Sequence, residues 1–161
     1  MKAGTLPAIL LASLAAVISP PARAAEACAG AAGPGMARLE VETVGLRAAQ
    51  GEVAVTVYPD DPRRFLAHGG KVARLRPAAV LPATSACFWL PPGAYAVAVY
   101  HDQNGDHQFN RNRLGLPVEG FGFSNDAPTR VGLPAFAMAR FTLPAGGRTL
   151  RVRMRYQTRP G

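Results

Sequence analysis

Ten consecutive residues, His101-Asp102-Gln103-Asn104-Gly105-Asp106-His107-Gln108-Phe109-Asn110, gather much of the ligand-grade chemistry of this 161-residue chain. Asp102, Asn104 and Asp106 stand at offsets one, three and five, the spacing at which a calcium loop presents its first oxygen ligands. The carbonyl of Gln108 and the side chain of Asn110 extend that metal set. Two positions oppose it. His107 stands where such loops turn on Gly, and Arg113 stands where a bidentate Glu closes the site. Glu119 would close it only if the chain folds back. The alternative is that Asp and Asn form Asx-turns, bonding to backbone N–H groups nearby and ordering a surface loop. Any calcium held here is expected to bind weakly, in the millimolar class of extracellular sites.

Catalysis requires a nucleophile or a poised acid–base pair. Ser124 and its neighbour Asn125 lie in no G-x-S-x-G context. A hydrolase using His101, Asp102 and Glu119 is the catalytic alternative; His101, His107 and Glu119 offer a transition-metal set, but no H-x-x-x-H or H-E-x-x-H helix supports it. His101 also has a plainer reading, a strand-end residue bonded to a nearby backbone carbonyl. Phe109, Phe121, Phe123 and Phe136 either stack on a glycan or pin a long loop to the scaffold, and pinning is the commoner use of such rings. The His101–Pro134 region spans 34 residues with five Gly and three Pro, and loops of that length are usually functional. The expectation is therefore a non-catalytic binding module of unknown ligand that works through 101–134, with a protein or glycan of the cell envelope as partner. An envelope structural protein without a ligand is a further alternative.

The elements that must carry this region are strands. With 17 Gly and 15 Pro, recurring every few residues after Pro59, a helical bundle is disfavoured. A hydrophobic content of 48% excludes a disordered polyelectrolyte. Leu39 and Val41 alternate with charged residues, and Val53, Val55 and Val57 alternate cleanly up to Tyr58-Pro59, so the two segments read as a hairpin. A helical turn around Phe65-Leu66 and a short strand within Lys71–Arg76 follow. Ala86–Leu90 reads as a buried strand, Pro91-Pro92-Gly93 as a tight turn, and Ala94–Tyr100 as a strand apolar on both faces and hence internal. Phe136–Leu143 and Thr149–Tyr156 supply the last two. About seven strands of this kind point to an all-β antiparallel sandwich, immunoglobulin-like or transthyretin-like, with one long irregular loop region. Its expected core includes Val53, Val55, Val57, Trp89, Val97, Val99, Val152 and Met154.

The first residues read as an address. Lys2, the apolar run Leu6–Ile18, the break at Pro20-Pro21 and the small-x-small triplet Ala22-Arg23-Ala24 describe a signal peptide of residues 1–24. The run is shorter than the roughly 20 apolar residues of a membrane span, and no other segment could cross a bilayer after cleavage. A flexible segment, 25–36, and a single sandwich domain, 37–157, would follow, giving a periplasmic or secreted protein. Outside the cytoplasm Cys28 and Cys87 favour a disulfide. Lys2 and Arg23 fall in the leader, which leaves 16 basic against ten acidic side chains. The basic residues are scattered and export removes the nucleic-acid compartment, so no nucleic acid is expected as partner. Arg151, Arg153 and Arg155 alternate with apolar residues on one strand face, a solvated edge guarded by charge or an attraction for an anionic surface.

Two runs carry a resemblance. Leu90-Pro91-Pro92-Gly93-Ala94-Tyr95 through to Asp102-Gln103-Asn104-Gly105-Asp106, and Leu114-Gly115-Leu116-Pro117-Val118-Glu119-Gly120-Phe121-Gly122-Phe123-Ser124-Asn125, look like the bacterial domain-of-unknown-function family 2141. The resemblance covers about Leu39 to Tyr156. It implies an exported β-rich protein with no established activity, and the Pro-Pro-Gly-x-Tyr turn is similar to that of transthyretin-like and carboxypeptidase-regulatory sandwich domains. His107 and Asn110 depart from the family's usual pattern, where many relatives look like Gly and Asp, which weakens the metal reading for this chain.

Overall fold

The computed structural model describes residues 27–129 and 132–157; the expected signal peptide, 1–24, lies outside the described residues. The described residues form eight strands: β1 (Ala37–Val44), β2 (Glu52–Pro59), β3 (Ala73–Leu75), β4 (Ala83–Leu90), β5 (Gly93–Asp102), β6 (Phe121–Phe123), β7 (Arg140–Leu143) and β8 (Arg148–Arg153). They make an all-β sandwich. One sheet has the order β4-β1-β8, with β1 antiparallel to β4 and parallel to β8. The other has the order β3-β2-β5-β6, and β7 pairs with the first half of β5 on the edge that β6 occupies farther along.

Period-two alternation builds the space between the sheets. Leu39, Val41, Phe88, Leu150 and Val152 from the first sheet face Val53, Val55, Val57, Val97 and Val99 from the second, all buried. The β-branched residues suit a pleated surface packed on both sides. β5 is internal, between β2 and the β6/β7 edge, as its two apolar faces require.

Several expectations are corrected. β1 and β2 are not a hairpin: they lie in different sheets, and the link between them crosses the sandwich. Alternation shows that one face of a strand is buried but does not name its neighbour. Gly51 makes this crossing possible, because at φ 71° a side chain would be strained and a Cβ would lie 2.0 Å from the Asp102 carbonyl oxygen. Trp89 is not a core residue. Phe88 is the inward member of β4, and pleating puts Trp89 on the opposite face, half-buried. The Phe136–Leu143 strand is split into a four-residue helix, Phe136–Ala139, followed by β7. The 25–36 segment, expected to be flexible, is strapped to β4 where it is described. Ala29 N–H donates to the Cys87 carbonyl (2.9 Å), Trp89 N–H donates to the Ala29 carbonyl (2.8 Å), and Ala29 packs on the core. A Cys28–Cys87 disulfide closes the strap.

The 101–134 region is likewise not irregular throughout, since it contributes β6 and a single 3-10 turn, Ser124–Asp126. Its rings build a second apolar cluster on the outer face of the β2–β5 sheet, where Phe121, Phe123 and Ala96 are buried beneath Phe65, Phe109 and Phe136. Edge-to-face pairs knit it together: Phe109–Phe121 at 5.6 Å, Phe65–Phe123 at 6.1 Å and Phe65–Phe136 at 5.7 Å between centroids. The second sheet is therefore covered on both faces. Of the charged stripe, Arg151 on β8 faces outward at the sheet edge, paired to Glu42 (3.3 Å), whereas Arg155, beyond β8 and part-buried, donates to the carbonyls of Asp126 and Ala127.

Candidate functional site

The end of β5 separates its last two side chains. Val97, Val99 and His101 project between the sheets, whereas Ala98, Tyr100 and Asp102 project to the outer face. His101 and Asp102 are both fully buried but on opposite sides, so they do not act on one another's substrate.

His101 is held at both ring nitrogens. Nε2 lies 2.7 Å from the Gln50 carbonyl, which can only accept, so Nε2 carries the proton. Nδ1 then accepts from the Tyr156 hydroxyl (2.7 Å), which in turn accepts the Arg47 backbone N–H at 3.2 Å. Gly120 makes room for this pair: a Cβ there would lie 2.3 Å from the Tyr156 ring. Burial holds the imidazole below its ordinary pKa and outweighs the raising effect of the Gln50 carbonyl; the nearby Arg47 charge acts in the same direction as burial. A neutral, doubly bonded imidazole is a structural bracket, and the strand-end reading of His101 describes it. Ser124 is equally committed. Its buried Oγ accepts the Val97 N–H (2.9 Å) and donates to the Ala139 carbonyl, while Asn125 Nδ2 donates to the carbonyls of Met138 and Arg140.

Asp102 organises the loop that follows. Oδ1 accepts Gly105 N–H (2.7 Å), and Oδ2 accepts His107 N–H (2.8 Å) together with an N–H of the Arg76 guanidinium (3.1 Å). His107 takes the left-handed conformation, φ 63°, in the position where Gly is usual. Asp106 accepts Gln108 N–H (2.8 Å) and the amides of Asn104 (2.9 Å) and Asn110 (2.8 Å); these bonds, the Asn110 amide foremost, lower its carboxyl pKa. These are Asx-turn contacts, the alternative to a calcium loop. The side-chain oxygen of Asn110 is buried without a hydrogen-bond partner. Glu119 does fold back: its buried carboxylate accepts the Asn110 N–H at 3.0 Å, and desolvation raises its pKa, helped by the charges of Asp102 and Asp106.

Sequence reasoning missed Arg76, the residue that ties the loop to the sheet. Its guanidinium reaches Asp102, the Tyr100 hydroxyl (2.6 Å) and the His107 carbonyl (3.1 Å), and lies 3.8 Å from Glu52. His107 Nε2 is 3.3 Å from the same Glu52 carboxylate. Ligand atoms of Glu52, Asp102 and His107 thus fall within 4.8 Å of one another, a metal-capable grouping among the described residues that already contains a cation in Arg76. Only the pairing of β2 with β5, which sets Glu52 opposite Asp102, brings these residues together. No local spacing announces them.

Beyond Tyr100 the outer face opens into a cavity of about 190 Å³. Its floor is the β2–β5–β6 sheet with Tyr58, Phe121 and Phe123, and Phe109, Arg111 and Leu133 form a wall. The Phe rings therefore pin the loop and also line a space. No curated protein and no solved structure matches the chain. A family model described as an uncharacterized protein conserved in bacteria (DUF2141) matches residues 41–151, from the middle of β1 into β8, and so takes in the Asp102 loop, Arg76 and every wall of the cavity. That span is well over half of the sequence, and the chain accordingly belongs to the DUF2141 family.

Proposed function

We propose that this protein is a non-catalytic binding module whose ligand surface is the outer face of the second sheet, walled by the 101–134 region. The observation that carries this reading is the aromatic cavity of about 190 Å³ between that sheet and the loop. Concave, mostly apolar spaces with a few polar groups are where small ligands bind, whereas a purely structural envelope protein would need none. The hydrolase alternative has less support. His101 has both nitrogens committed, Asp102 lies on the other side of β5, and Ser124 is buried between backbone groups. Export to the periplasm or beyond is part of the proposal, supported by the N-terminal address and by the single disulfide. An envelope protein or glycan would present the ligand. Benzyl alcohol, an uncharged single-ring compound, tests the cavity. Saturation-transfer NMR should show its ring protons in contact with the protein, and Phe109→Ala should remove most of that signal while leaving the far-UV circular dichroism intact. No signal, or one indifferent to Phe109, would overturn the reading.

A weak calcium site is a second reading, favoured by the buried, partnerless oxygen of Asn110 beside Asp106 and its neighbour Asn104. Asp102 contributes least to it, because Arg76 and two backbone N–H groups occupy its oxygens. Calcium bound only by the native state at 100 times its Kd would add about 2.7 kcal/mol. A chelator-reversible rise in Tm at millimolar calcium, lost in Asp106→Ala, is the expected result on this reading. A flat response up to about ten millimolar eliminates it.

A further inference from the structure

Resting on the cavity reading above, we infer that the cavity selects a small aromatic carboxylate, its ring among Tyr58, Phe109, Phe121 and Phe123 and its anionic end between Arg74 and Arg111. Among the described residues no Asp or Glu lines the cavity, and both arginines do. Elsewhere Arg38 pairs with Glu40, Arg63 with Asp61, Arg76 with Asp102, Arg140 with Asp60 and Arg151 with Glu42, while other described arginines, such as Arg47 and Arg148, have no acid partner but line no cavity of this kind. Arg74 and Arg111 have no carboxylate partner among the described residues, and each is nevertheless held in place. Arg74 donates its Nε–H to Thr56 Oγ1 (2.7 Å) and sets its charge beside the Tyr58 hydroxyl. Arg111 lies 5.1 Å above the Phe109 ring and donates to the Gly115 carbonyl at 3.0 Å. A guanidinium has five N–H donors, so both keep donors for a carboxylate, to which charge-assisted bonds are short and strong.

Size sets the rest of the ligand. A dry apolar cavity of about 150 Å³ admits one benzene ring. The space here, about 190 Å³, therefore suits a single ring with a short arm rather than a fused ring system or a lipid chain. Burial pushes the Tyr58 hydroxyl above its ordinary pKa despite Arg74, so it stays a neutral donor and adds no opposing charge to the site.

3-Phenylpropanoate and its uncharged twin 3-phenylpropanamide, titrated into the folded protein and followed by 1H–15N chemical shifts, separate the two contributions. The acid should bind about tenfold more tightly than the amide, and added salt should weaken the acid alone. Arg74→Gln with Arg111→Gln, both exposed positions whose loss leaves the core untouched, should weaken the acid far more than the amide and close the gap between them. Equal affinities of acid and amide would overturn the anion selectivity while the cavity reading stands. Tighter binding of the acid that survives in the double variant would place the anion elsewhere and also overturn it. Shifts from neither compound would defeat the cavity reading as well.

Discussion

His101 and Glu119 are buried titratable groups on opposite sides of β5's end, and their environments push them in opposite senses. The folded imidazole titrates below its ordinary 6.5, so the native state resists the proton that the unfolded chain accepts. Stability is complete above about 6.5 on this account and is lost as the pH falls from there to the folded pKa. Glu119 has a folded pKa above its ordinary 4.5, so its contribution is present below that value and is lost as the pH rises through the folded pKa. Glu119→Gln keeps an acceptor for the Asn110 N–H and removes the buried charge. It should raise the urea midpoint at pH 8 and leave the acid-side loss from His101 in place. A lower midpoint at pH 8 would mean that the charged carboxylate is needed. The sequence made His101 legible as a strand-end bracket but hid its partner, because Tyr156 is 55 positions away and only the approach of the C-terminal segment to β5 unites them.

The Asp102–Asn110 loop is legible as an element and misleading as a motif. Its alternating Asp and Asn residues suit two jobs equally, ligating a cation and capping backbone N–H groups, and spacing alone does not choose between them. The deciding residue, Arg76, lies 26 positions upstream in the link after β3. Its charge is set against a carboxylate that has no solvent exposure, and breaking such a pair from one side leaves an uncompensated charge. Arg76→Met should therefore cost about 3–5 kcal/mol in chemical denaturation and speed amide exchange at Gly105 and His107, whose N–H groups depend on Asp102. Adding Asp102→Asn should recover part of that loss, since no lone buried charge remains. If the single variant is as stable as the parent, the loop does not depend on this contact. The same blindness explains the supposed β1–β2 hairpin. Each strand's alternation is real, but register and partner are set by the whole sandwich.

Across the molecule, composition and periodicity sufficed for the all-β class and for most of the valine core, because burial on one face writes itself into alternate positions. The covering of the second sheet's outer face was harder to foresee. Its rings come from three stretches, around Phe65, Phe109 and Phe136, that carry no strand period of their own. The pairing of β1 with β8 has a different kind of consequence, one of timing. These are the first and last strands among the described residues, they run parallel, and β1 is the middle strand of its sheet. Until the final strand emerges, β1 has one edge unpaired, and Leu150 and Val152 are missing from the core. The sandwich therefore cannot complete itself progressively from β1 onward; closure waits for β8 to be delivered. Non-local pairing of this sort places all-β domains in the millisecond-to-second range, and stopped-flow refolding of the intact chain should fall there. A chain ending at Gly147 should fail to give a cooperative unfolding transition, and mixing it with a synthetic 148–157 peptide should restore one. Cooperative unfolding of the truncated chain alone would show that the β2–β5 sheet can hold the fold without its last strand. A chain still lacking that strand would offer β1's free edge for pairing, and any factor that shields unfinished chains would meet it there.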